Sequence, residues 1–217
     1  MNVAPQNVIR IYGDIWITDT VISTWVMMAT LFGVALFLKR RHPGVLQMLL
    51  DFVHNLVTDV MDEDIAHTYV PFLATLVLFL ALANSLGVVP FLVAPTRDIS
   101  TPLALAIVIF FAVHIYGIRK KGVGKYLKDL FAPLYLGVLT IPLELISEVS
   151  RTLSLTLRLF GNIVSGELVV AVIVSLVPII APLPMIGLSL FTGLLQAYIF
   201  TSLAAVYIAA GVQSTEL

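Results

Sequence analysis

The stretch PLELISEVSRTLSLTLRLFGNIVSGELVVAVIVSLVP, residues 142–178, decides how the rest of the chain is read. Between its terminal prolines it is one nearly uninterrupted helical run of roughly 35 residues, hence roughly 50 Å, while the hydrocarbon of a bilayer is about 30 Å thick. A straight helix of that length must tilt steeply or run partly along the surface; a kink at Gly161 or Gly166 that splits it in two is the alternative. Pro182 and Pro184 mark a connection, and a second long apolar helix follows to about Gly211, again longer than an upright span requires. Residues 142–211 are therefore expected to form a hairpin of two strongly tilted helices.

The charges of the first of these helices are few and ordered. At about 100° per residue, Glu144, Glu148, Arg151, Leu155, Arg158 and Asn162 fall in one narrow stripe, whereas Glu167 points almost opposite to Arg158. Glu144 and Glu148 precede the deep apolar part, and both a place in the membrane interface and a role in ion access are open for them. Arg158 is different. Leu155, Leu157, Leu159 and Phe160 flank it, the cation before it is Arg151, and no charged residue occurs from Leu168 to Thr215. An arginine in mid-membrane costs at least about 2.5 to 3.5 kcal/mol and cannot escape by losing its proton. Snorkelling to an interface explains it poorly, because both helix ends are far away. With Glu167 on the wrong face, the counter-charge is expected from a carboxylate on another protein, or from one that visits.

Outward from this hairpin the chain is of one kind. Of its 217 residues 59% are hydrophobic and 12% charged, and the mean hydropathy is +1.04; a soluble domain carries about twice that share of charge. Lipid is the solvent for most of the protein. Residues 1–20 lack the basic-then-apolar order of a cleaved signal peptide and read as a mature outer segment. Residues 21–38 form a first span ending in Lys39-Arg40-Arg41, which the positive-inside rule places in the cytoplasm, with the N-terminus outside. In residues 43–64, Val45, Leu49, Phe52, Val53, Leu56 and Val60 share a helical face, which predicts an amphipathic helix on the cytoplasmic surface, or one packed on a soluble partner. Residues 69–93 and 102–118 are further spans; the second meets Arg119, Lys120, Lys121, Lys125 and Lys128, which gives the same topology independently and leaves the C-terminus cytoplasmic. The fold class is thus all-α: about five membrane helices and a surface helix, in a single membrane domain.

Several functions are excluded or disfavoured. A formal net charge of −1 without a basic stripe argues against nucleic acid, and the absence of cysteine removes disulfides, thiolate catalysis and cysteine metal sites. His42, His54 and His67 form no ligand spacing, His114 reads as interfacial, and Asn84 reads as a polar contact between helices. No metal or cofactor is expected. A secondary transporter with a midplane site is the rival class, but the chain shows no internal repeat. An intramembrane hydrolase would need a nucleophile or metal motif that is missing, and no phosphate-binding Gly-rich loop is present.

The run Leu153-Ser154-Leu155-Thr156-Leu157-Arg158-Leu159-Phe160-Gly161-Asn162, followed by Gly166-Glu167-Leu168, closely resembles the signature of the a subunits of F-type ATP synthases. Tyr69-Val70-Pro71-Phe72, the stretch from Asn84 to Pro90 with Ala94 to Ala104 after it, and Leu195-Gln196-Ala197-Tyr198-Ile199-Phe200 agree in order. The resemblance implies a non-catalytic stator in the cell inner (plasma) membrane. It would lie against a ring of c subunits, each with an ion-binding carboxylate, beside peripheral-stalk b subunits and coupled indirectly to the F1 sector. It implies that Arg158 separates two offset half-channels for H⁺ or Na⁺. Asn162, Glu167 and Gln196 would adjoin the path on one side, and Glu144 on the cytoplasmic side. Thr152 departs from the proline of many relatives. Leu188-Ser189-Leu190 departs from an ionisable group that some carry about two turns before Gln196.

Overall fold

A computed structural model of the chain describes residues 7–12, 15–61, 63–87, 94–130, 137–176 and 182–212. Two short strands, β1 (Asn7–Tyr12) and β2 (Ile15–Thr18), pair antiparallel with Arg10 opposite Trp16 and Ile9 opposite Ile17. This hairpin was not expected, although isoleucine, tyrosine and tryptophan favour strands and Gly13-Asp14 has the composition of a tight turn.

Apart from short turns, the other described residues are helical. β2 runs straight into α1 (Asp19–Arg41), and α2 (Pro43–Thr58) follows with a proline in its first turn, where the missing N–H costs nothing. The expected surface helix over 43–64 is corrected at its end: the amide N–H of Asp59 bonds the carbonyl oxygen of Asn55, a turn closes at Met61, and α3 (Glu63–Leu86) begins well before residue 69. The acidic pair Glu63-Asp64 read as the end of a surface segment, but acids belong at the positive N-terminal end of a helix. The expected face of α2 is also narrower than read: Val53, Leu56 and Val57 are buried, while Val45 and Phe52 are exposed. A 3-10 turn (Pro95–Arg97) leads to α4 (Ser100–Lys121) and the short α5 (Val123–Leu130). Two long helices are the last described elements: α6 (Gly137–Leu176, 40 residues) and α7 (Pro182–Val212, 31 residues). At 1.5 Å per residue they are about 60 and 46 Å long, and α6 runs through Gly161 and Gly166 as one helix rather than two. Residues 88–93, assigned from the sequence to the second span, lie outside the described residues.

Five of these helices, α1, α3, α4, α6 and α7, are long and apolar enough to cross a membrane. α1 packs on α3, and α7 touches α3, α4 and α6. The reason lies in its small side chains. Gly193, Ala197, Ala204, Ala205 and Ala209 are buried, which lets neighbouring backbones come close where lipid supplies no hydrophobic drive for helix association. A methyl group added at Gly211 would stand 3.0 Å from Val113 Cγ1 on α4, and one at Gly193 3.0 Å from Asn84 Cβ on α3. Asn84 is buried at this seam. Its amide nitrogen donates to the Gly193 carbonyl oxygen (2.8 Å) and its amide oxygen accepts from Thr96 Oγ1 in the 3-10 turn (3.0 Å), the polar helix contact expected of it.

Candidate ion pathway along the last two helices

The contacts between α6 and α7 set their antiparallel register. Asn162 Nδ2 donates to the Thr192 carbonyl oxygen at 3.4 Å, and Gly166 lies against Ser189, where an added Cβ would stand 2.5 Å from Oγ. One turn, about four residues, back along α6 from Asn162 is Arg158, and one turn forward along α7 from Thr192 is Gln196. The two are therefore level. Arg158 lies 18 residues before the end of α6 and Gln196 14 residues after the start of α7, so with the two level α6 reaches past the first residues of α7.

The predicted stripe of α6 lies along the edge of its buried face. Leu155 and Leu159 are buried against the other helices, Glu148, Arg151 and Asn162 are half-buried, and Arg158 is exposed. Among the described residues no carboxylate pairs with Arg158. Gln196 is buried at 6% exposure, and its Nε2 has no hydrogen-bond partner among the described residues. The backbone of Glu144 belongs to α6, but its side chain lies outside the described residues.

On either side of Arg158 along α6 there is a recess. Toward the helix start, Glu148 Oε1 stands 3.3 Å from His114 Nε2 on α4, whose Nδ1 is 2.8 Å from the Phe110 carbonyl oxygen. Arg151 lies over the ring of Tyr207 on α7, 5.4 Å from its centroid. These side chains, with Thr152 and Leu155, line a recess at the end of the bundle that carries the basic clusters of α1 and α4. Toward the other end, Asn162, Ser165, Gly166 and Val169 of α6 and Met185, Leu188, Ser189 and Thr192 of α7 line a second recess. Glu167 follows Gly166 in the chain but is not among the side chains that line this recess; it pairs with Arg97 of the 3-10 turn, Oε2 to Nε 3.1 Å.

Arg97 and His114 are the two side chains that sequence reading passed over. His114 was set aside for its nearness to the basic end of α4, yet it meets a carboxylate from α6. Arg97 had a signal: it is the single lysine or arginine between Arg41 and Arg119.

Fold and site together define a polytopic helical membrane protein with a chain of ionisable and amide side chains on two over-long helices. The chain belongs to the ATP synthase A chain family, whose description it matches over residues 20–209. It is 42% identical over 209 residues to "ATP synthase subunit a 2" of Bradyrhizobium sp. (strain BTAi1 / ATCC BAA-1182), covering 93% of this chain and 92% of that one. It is 40% identical to "ATP synthase subunit a 1" of Hahella chejuensis (94% and 88% covered) and 37% identical to "ATP synthase subunit a" of Legionella pneumophila strain Paris (94% and 91%). The protein is thus a non-catalytic, multi-pass subunit of the Fo membrane sector, serving ion transport in ATP synthesis within a complex of other ATP synthase subunits.

Proposed function

We propose that the chain is the ion-translocating stator of a rotary F-type ATP synthase, with two offset half-channels for H⁺ or Na⁺ that Arg158 keeps apart. The observation that carries this reading is the place of Arg158: on the exposed side of α6, level with Gln196, between two recesses toward opposite ends of the bundle. A buried cation costs several kcal/mol unless an anion meets it, so its exposed position makes it accessible to a carboxylate from another chain. The c-subunit carboxylates are that anion.

The mechanism follows from charge. A fixed guanidinium in a poorly polarisable medium favours the ionised form of an arriving carboxylate over its protonated or sodium-loaded form, and so drives the ion off into a half-channel. Arginine suits the task because it stays charged and never relays the proton itself. The amide of Gln196, at the same height and with its Nε2 unpartnered among the described residues, offers a donor to the ion path inside the bundle. The recess with His114, Glu148 and Arg151, together with Glu144, forms the inner half-channel, and that with Asn162, together with Glu167, the outer one. Basic ends of α1 and α4 lie in the cytoplasm, the β-hairpin lies outside, and α6 and α7 lie inclined in the plasma membrane, as lengths of about 60 and 46 Å against about 30 Å of hydrocarbon require. The peripheral-stalk b subunits hold this stator against the turning ring.

The apolar exposed side of α6 carries Leu153, Leu157 and Leu168, each between 47% and 57% exposed, and is the face assigned to the c ring. Because the chain has no cysteine, the assignment is tested by single replacements. Leu157→Cys is expected to form a disulfide under mild oxidation with a cysteine placed beside the c-subunit carboxylate, and Leu159→Cys, fully buried, to form none. If no position on this side of α6 gives an adduct with c, the face is wrongly assigned. Within the inner recess, Glu148→Gln removes the charge that faces His114. Gradient-driven ATP synthesis in vesicles is expected to slow roughly two- to fivefold yet stay coupled; a wild-type rate would exclude Glu148 from the path.

A further inference from the structure

The pair Arg97–Glu167 joins a loop to a membrane helix, and the loop is built to hold its cation still. Thr96, beside Arg97, is fully buried and donates from Oγ1 to Asn84. Asp98, on the other side, has its carboxylate engaged: Oδ1 accepts from the backbone N–H (3.0 Å) and the hydroxyl of Ser100, and Oδ2 from Thr20 Oγ1 of α1 (3.4 Å). The turn is thus pinned to α1, α3 and α4 on both sides of the arginine. From it the guanidinium reaches Glu167, five residues beyond Asn162 on α6 and next in the chain to Gly166, which lines the recess between α6 and α7. Ser189, across from Gly166, brings only a hydroxyl to this place.

A carboxylate at the border of an ion path attracts every cation that passes, and one that held its cation well would slow the flow. A neighbouring fixed cation competes for the same oxygens. We propose that Arg97 is a positioning residue of the outer recess: it holds the Glu167 carboxylate in place and competes with the translocated cation for it, so that Glu167 passes cations on instead of retaining them. This rests on the half-channel reading above.

The test uses the assembled complex in vesicles, with ATP synthesis measured against the concentration of the driving cation on the side from which it moves, protons or sodium, whichever supports wild-type synthesis. Loss of the competitor lets the cation bind Glu167 more tightly and leave it more slowly. Arg97→Gln is therefore expected to lower the half-saturating concentration about two- to fivefold and to lower the maximal rate with it, the range set by a partly exposed ion pair. Arg97→Lys keeps a charge at the same place and is expected to bring both values back to within about twofold of wild type. A slower Arg97→Gln enzyme with an unchanged or higher half-saturating concentration would overturn the proposal, as would an Arg97→Gln subunit that fails to assemble, since the arginine would then be only a structural tie. Arg158→Ala is measured alongside. Normal synthesis there would undo the half-channel reading itself, whereas its loss together with an unshifted Arg97→Gln would sink this inference alone.

Discussion

Replacing Arg158 with alanine or glutamine is expected to abolish gradient-driven ATP synthesis while the subunit still folds and assembles. The side chain is exposed at the edge of the α6–α7 pair and no carboxylate among the described residues leans on it, so its removal leaves no buried charge behind and opens no cavity in the core. In the proposed mechanism, what is lost is the difference in stability between an ionised and a loaded c-subunit carboxylate, which a neutral side chain cannot reproduce. Lysine is the sharper variant. It keeps a positive charge but can lose its proton when desolvated, and it lacks the planar fork, so Arg158→Lys is expected to be severely impaired as well. Synthesis and assembly are to be measured on the same vesicles; a near-normal rate from an assembled Arg158→Ala complex would remove this residue as the gate.

The second large effect is expected at Gly193, and it is one of stability rather than transport. Even one methyl group there would stand 3.0 Å from Asn84 Cβ, and the Gly193 carbonyl accepts the 2.8 Å bond from Asn84 Nδ2. Valine adds two further carbons against α3. Over-packing costs about 1 to 3 kcal/mol, and a buried amide that loses its bond about 1 to 3 more. Gly193→Val is expected to lower the thermal midpoint of the purified subunit clearly and to leave little of it in assembled complexes, with Gly193→Ala milder. A wild-type midpoint for the valine variant would show that the α3–α7 seam has slack that the distances do not suggest.

Much of this was legible before any coordinates. Helix lengths follow from apolar runs, and the oddity of Arg158 follows from its setting among leucines and phenylalanine, because lipid penalises a charge wherever the fold does not meet it. Asn84 was readable for the same reason. What could not be read is what brings distant parts together. Glu167 was rightly excluded as a partner of Arg158 by its angle on the helix, but nothing in helical geometry announces that Arg97, far back in the chain and in a loop, comes to it. His114 and Glu148 meet across two helices, and neither spacing nor composition couples them. The relative height of α6 and α7 was not legible either, because prolines mark where helices stop, not how deep they stand; side-chain contacts such as Asn162 with Thr192 decide that.

As half-channels, the role proposed for them, the two recesses would also shape the electric field. One is lined as far as Leu155 and the other begins at Asn162, so along α6 they are separated by about 10 Å of helix rise. In the proposed reading each recess brings the potential of its own side inward, and the membrane voltage falls mainly across that short barrier instead of across about 30 Å of hydrocarbon, a field roughly three times as steep. An elementary charge still exchanges about 2.3 kcal/mol for each 100 mV, whatever the distance. Arg158 stands inside the barrier, so nearly all of that electrical work is done within two helical turns of its guanidinium.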